Sequence, residues 1–173
     1  MEGLRGSDLL VKLYEVKEDR ALEERLREQG IKVVRLLPPN YDMLLEFIAA
    51  HFSKGWVSEA KAALFNHPAS CYVAAKDGKI IGFACYNATA KDYFGPTGVA
   101  EEYRGLGVGK LLLLKCMLAL KEEGYSYAII GWSDDATPFY QKVVGAVEIP
   151  GSIPGTYGQM VEMSPEAWPL TWK

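Results

Sequence analysis

Arg104-Gly105-Leu106-Gly107-Val108-Gly109-Lys110 stands between a strand-like run, Tyr93–Val99, and a long helical pattern over 108–123. A turn so placed lies at a helix N-terminus, where main-chain N–H groups lack helical partners and the dipole is positive, so it can receive a phosphate group. Glycines at 105, 107 and 109 let the main chain approach an anion without side-chain obstruction. Spacing narrows the choice. A dinucleotide loop requires glycine where this chain has Lys110, and a Walker-type loop requires glycine and a hydroxyl residue where it has Arg104 and Leu111. What remains is Arg-x-x-Gly-x-Gly, or a glycine-rich connection that binds nothing.

Working outward, 71–75 and 79–86 are apolar runs joined by Lys76-Asp77-Gly78, the signal of an antiparallel hairpin. Upstream, 9–16 alternates like a strand, 17–29 is a charged helix anchored by Leu22 and Leu26, and 31–37 is a second strand closed by Pro38 and Pro39. Asn40 is placed to cap a helix over 41–52 that buries Leu44, Leu45, Phe47 and Ile48, and a short helix follows over 57–65. Downstream, 127–132 is apolar without alternation, as in a strand covered on both faces, and 139–144 is a short helix with Pro138 at its start. One or two strands are expected near 146–149 and 157–163. A hairpin followed by strand, helix, strand and helix predicts a mixed α/β sandwich.

In that setting Arg-x-x-Gly-x-Gly resembles the coenzyme A signature of the GNAT N-acetyltransferase superfamily. Val99-Ala100-Glu101-Glu102-Tyr103 resembles the family's approach to this loop, and Phe139-Tyr140-Gln141-Lys142 with Gly145 resembles its second motif. The second motif departs in three places. Ser133 stands where the family usually has Asn, Gly145 comes one residue late, and Ala146 replaces the customary Phe. The resemblance implies a central, mostly antiparallel sheet with helices on both faces, forming one domain over 31–173. Residues 1–30 would be a strand-helix extension packed on it.

It further implies an acyl-CoA-dependent N-acyltransferase that moves an acetyl group from acetyl-CoA to a primary amine, directly, in a ternary complex. N–H groups of Gly105, Leu106, Gly107, Val108, Gly109 and Lys110 would hold the pyrophosphate, and the main chain near Val99 would pair with the pantetheine arm. Arg104 either reaches the phosphates or is solvated. Lys110 and Lys142 are candidates for the 3′-phosphate, and Ser133 either meets the pantetheine or caps the next helix. Tyr140 is the candidate acid for the departing thiolate, unless its ring is packing. Candidate proton acceptors are Glu59, His51, Glu101 and Glu102. The acceptor site would draw on Phe52, Trp56, Tyr86, Asn87 and 150–157, unless Trp56 and Tyr86 are core residues, and no charged cluster there declares the acceptor's charge.

Length and composition fit this picture. At 173 residues, 49% hydrophobic and 24% charged, the chain is sized for a single globular domain. A net charge of -3 with no basic run argues against nucleic acid or an anionic membrane as partner. Cys71, Cys85 and Cys116 are odd in number and widely spaced, and with two histidines in all they suggest neither disulfides nor a metal site. The first sixteen residues hold no apolar stretch suited to a signal or a span, so a reducing cytoplasmic location is the default expectation. The N-terminal segment and the tail with Trp168 and Trp172 are expected to cover a sheet edge or join a homodimer.

Overall fold

A computed structural model describes residues 4–162. Trp168 and Trp172 lie outside the described residues. The sheet is seven-stranded: β1 (Ser7–Lys12), β2 (Ile31–Arg35), β3 (Cys71–Lys76), β4 (Lys79–Tyr86), β5 (Tyr93–Val99), β6 (Tyr127–Ser133) and β7 (Val147–Glu148), in the order β2-β3-β4-β5-β6-β1-β7. Only β5 and β6 run parallel; the other neighbours are antiparallel. The hairpin turn forms where expected, because Asp77 and Gly78 both take the left-handed backbone that a two-residue turn between twisted strands requires.

Helices cover both faces. On one, α1 (Arg20–Glu28), α4 (Val108–Glu122) and α5 (Thr137–Val144) pack on the sheet through Leu22, Leu26, Leu112, Met117 and Tyr140. On the other, α2 (Tyr41–His51) and α3 (Lys54–Phe65) build an aromatic layer in which Phe47, Phe52 and Trp56 surround Phe83. Alternation along the strands feeds both cores: Val73 and Phe83 face α2 and α3, whereas Ala74 and Ala84 face α4.

Several elements differ from the sequence expectation, each for a local reason. α3 starts three residues early because the Ser53 hydroxyl accepts a bond from the Trp56 N–H. Asn40 does not cap α2; its amide turns to the Met43 sulfur, and a 3-10 turn over Pro38–Asn40 leads into the helix. β6 is not covered on both faces, since buried Ala128 and Ile130 alternate with exposed Tyr127 and half-buried Ile129. The stretch expected as a strand after Pro154 is a 3-10 turn over Gly155–Gln159, and no strand follows it among the described residues. β1 is an inner strand paired with both β6 and β7, where the N-terminal segment was expected to cover a sheet edge or join a homodimer.

Candidate active site

β5 and β6 pair only at Tyr93 with Ile129 and Phe94 with Ile130, then part. Pro96, two residues on, has no N–H to offer a ladder. The β4 side of β5 shows what the opening exposes. Ala100 donates to Ile81, so alternation makes Gly98 and Phe83 the next bonded pair and turns the main-chain groups of Val99 and Thr97 toward the gap. An extended ligand can be added there as a strand is. Arg104 reaches this edge itself: its Nε donates to the Val99 carbonyl over 3.1 Å.

The gap opens on the α4 side into a cleft of about 850 Å³ lined by Val99, the glycine turn, Lys142 and Tyr140. The first bond of α4 runs from the Leu111 N–H to the Gly107 carbonyl, leaving the N–H groups of Val108, Gly109 and Lys110 without helical partners. The three glycines serve different ends. At Gly107 the backbone is left-handed (φ 96°) and a Cβ would stand 2.7 Å from Leu22 Cδ1, so this glycine admits α1 as well as the turn. A Cβ at Gly105 would meet nothing, and one at Gly109 would lie 3.7 Å from a Val99 methyl group, on the cleft wall. Leu106 points away, more than a third exposed. Lys110 lines the cleft but also pairs with Asp19 over 2.7 Å, and this bond holds the Asp19 carboxyl below its ordinary range. Lys142 has no such partner among the described residues.

On the opposite side the gap narrows to a cleft of about 70 Å³, and Phe94, Thr97, Ala136 and Tyr140 line both spaces. Tyr140 therefore stands where they meet, packed edge-on against Phe94 and Phe139. Burial pushes its phenol well above the usual tyrosine range, so it is protonated at neutral pH. Glu59, on α3, enters the smaller cleft. Thr89 donates to its Oε1, while Oε2 is buried with no hydrogen-bond partner among the described residues. Burial raises this carboxyl to about 7, against the opposing pull of the Thr89 bond. Tyr157 bonds to Thr89 in turn and reaches the sheet over Gly131, where a side chain would collide with its hydroxyl.

The N-terminal strand shapes this wall. Between the pairs Ser7–Ser133 and Leu9–Ile130, Asp8 faces two residues of β6, Gly131 and Trp132, which is a bulge. The buried Asp8 carboxylate accepts the Trp132 N–H over 2.8 Å and fixes that residue at φ 42°, a backbone region most side chains avoid. The Trp132 ring thereby stands against Tyr157, centroids 5.3 Å apart. Ser133 also lines the smaller cleft, and its hydroxyl bonds that of Thr137 without capping a main-chain N–H of α5.

Of the candidates read from sequence, Tyr140, Val99, Arg104, Gly105, Gly107, Val108, Gly109 and Lys110 come together at the larger cleft, and Trp56, Glu59 and Ser133 at the smaller. Tyr86 does not join them. It is a core residue whose hydroxyl accepts a bond from Arg35 at 2.7 Å. Asn87 braces the β4–β5 loop, Phe52 fills the space beneath Gly98, and His51 bonds the Phe47 carbonyl at the end of α2. Glu101 and Glu102 are exposed on a 3-10 turn. The three thiols are free and fully buried, and burial drives Cys85 and Cys116 far above their ordinary range, which makes them poor nucleophiles. Sequence reading missed Asp8, Thr89 and Trp132; an acid inside an apolar strand was the one signal, at Asp8. No helix among the described residues is long and apolar enough to cross a membrane.

Comparison with known proteins agrees with this geometry. A glucosamine N-acetyltransferase region of a fungal multidomain β-N-acetylglucosaminidase superposes with a TM-score of 0.68, at 19% identity over 83% of this chain and 20% of its own. A GCN5-related N-acetyltransferase from Sphaerobacter thermophilus gives 0.60, at 17% identity over 85% of this chain and 50% of its own. One from Kribbella flavida gives 0.56, at 19% identity over 83% and 54%. The chain thus spans a fifth of the first and about half of the other two, and at such identities the likeness shows the fold. No curated protein matches the chain. The model of the acetyltransferase (GNAT) family matches residues 37–146, from before α2 to the end of α5, and the chain belongs to that family.

Proposed function

We propose that this protein transfers an acetyl group from acetyl-CoA to a primary amine, directly and within a ternary complex. The observation that carries the reading is Tyr140 at the junction of two clefts, one with a phosphate-type turn and a free strand edge, the other with the bare Glu59 oxygen. The larger cleft suits coenzyme A. The α4 N-terminus and Lys142 answer the phosphates, and Thr97 and Val99 offer main-chain groups to the amides of the pantetheine arm. Arg104 fixes the Val99 carbonyl.

Each proton has a place to go. Glu59 Oε2 takes one proton from the incoming ammonium, because Thr89 already occupies Oε1. The freed amine forms its C–N bond as the C–S bond of the thioester breaks. Tyr140 gives its proton to the sulfur and recovers one from the second nitrogen-bound hydrogen through solvent. Burial makes the Tyr140 phenol hold its proton more tightly than a thiol with a pKa of about 8.5, so it stabilises the departing sulfur first as a hydrogen-bond donor, and its proton moves as the nitrogen-bound hydrogen replaces it. Buried, unreactive thiols favour this direct route over an acyl-cysteine.

Substitution of Tyr140 by Phe tests the reading. Calorimetry should give parental acetyl-CoA affinity, while kcat falls on the order of 100-fold, the usual scale of general-acid help. Parental kcat across the pH range would return Tyr140 to packing.

A further inference from the structure

The smaller cleft has a chemistry the acceptor must match. Glu59 and Asp134 line it, and among the described residues no Lys, Arg or His does. The rest of the wall is largely aromatic or small, with Trp56 and Phe94 beside the Trp132–Tyr157 pair. Ring faces and a bare carboxylate oxygen attract a cation from several sides. They repel an anion, which would bury its charge beside two acids with no cation to pair. The space between the rings is narrow, about 70 Å³, so the nitrogen end of the acceptor enters it first.

We infer that the acceptor is a primary alkylammonium with no carboxylate beside its nitrogen, inserted nitrogen-first between Trp56, Trp132 and Tyr157 toward Glu59. This rests on the acetyl-transfer reading above and narrows it. α-Amino acids are then poor acceptors.

The test uses three amines with the full chain: n-pentylamine, L-norleucine and norleucine methyl ester. Norleucine is pentylamine with a carboxylate at the amine-bearing carbon, and its ester keeps the bulk without the charge. With acetyl-CoA, n-pentylamine should give a kcat/KM at least tenfold above norleucine, with the ester closer to n-pentylamine than to norleucine. Norleucine equalling n-pentylamine would overturn the inference while leaving acetyl transfer standing. A second readout needs no turnover: n-pentylamine should saturably change tryptophan fluorescence in CoA-loaded protein, norleucine should not compete, and Glu59→Gln should weaken the effect at least tenfold with CoA affinity kept. If no amine releases CoA, the acetyl-transfer reading fails, and this titration alone judges the cleft. Absence of saturation, or equal competition by norleucine, would overturn the assignment.

Discussion

Under the proposed function, Glu59 shows how a residue's role depends on its burial. Among four candidate proton acceptors the sequence offered no way to choose, because Glu59, Glu101 and Glu102 look alike until α3 buries one of them against the β4–β5 loop. Thr89, thirty positions away along the chain, carried no signal at all. The raised carboxyl has two consequences. Activity should climb with pH through about 7 as Glu59 loses its proton, and Thr89→Val, which removes the bond that lowers this value, should move that limb upward while Thr89→Ser restores it. A pH–rate profile unchanged in Thr89→Val would contradict the assignment. Stability should run the other way. A carboxyl that holds its proton more tightly folded than unfolded favours folding below about 4.5 and loses that contribution as pH rises through about 7. Glu59→Gln should therefore unfold like the parent near pH 4 and be more stable at pH 8 by up to about 3 kcal/mol, read by urea titration.

At the scale of elements, the strand, turn and helix around Arg104 were legible because periodicity, glycine spacing and helix length all agree there. Legibility failed at Gly107. The sequence treats it as clearance for an anion, whereas the structure shows that it also seats Leu22 of α1. A charged residue at Gly107 would thus disturb packing and ligand together. Gly109 separates the two, since its backbone is helical and an added methyl group meets only ordinary contact. Gly109→Ala should leave stability unchanged or raise it by up to about 1 kcal/mol, the helix preference of alanine over glycine. Gly109→Glu should fold and lose at least tenfold in acetyl-CoA affinity by calorimetry, as side chain and charge enter the cleft. Full affinity in a folded Gly109→Glu protein would place the phosphates elsewhere.

For the molecule as a whole, element order was readable, including a strand and a helix in the first thirty residues, but the place of that strand in the sheet was not, because strand pairing across the whole chain leaves no local mark. β1 sits between β6 and β7, buries Leu9 and Val11, and supplies Asp8 to the bulge that sets Trp132. Removing residues 1–30 should abolish cooperative unfolding, since it strips β6 of its antiparallel partner and α4 of α1; a truncated chain melting like the parent would contradict this. On the proposed function, two clefts meet at Tyr140 so that an acetyl group crosses between them without resting on the protein. A single-turnover experiment with acetyl-labelled CoA and n-pentylamine addresses this most directly. The account predicts that labelled amide and free CoA appear together, one for one, with no label on the protein at any time. Label found on the protein before the amide, or CoA released with no amide formed, would contradict it.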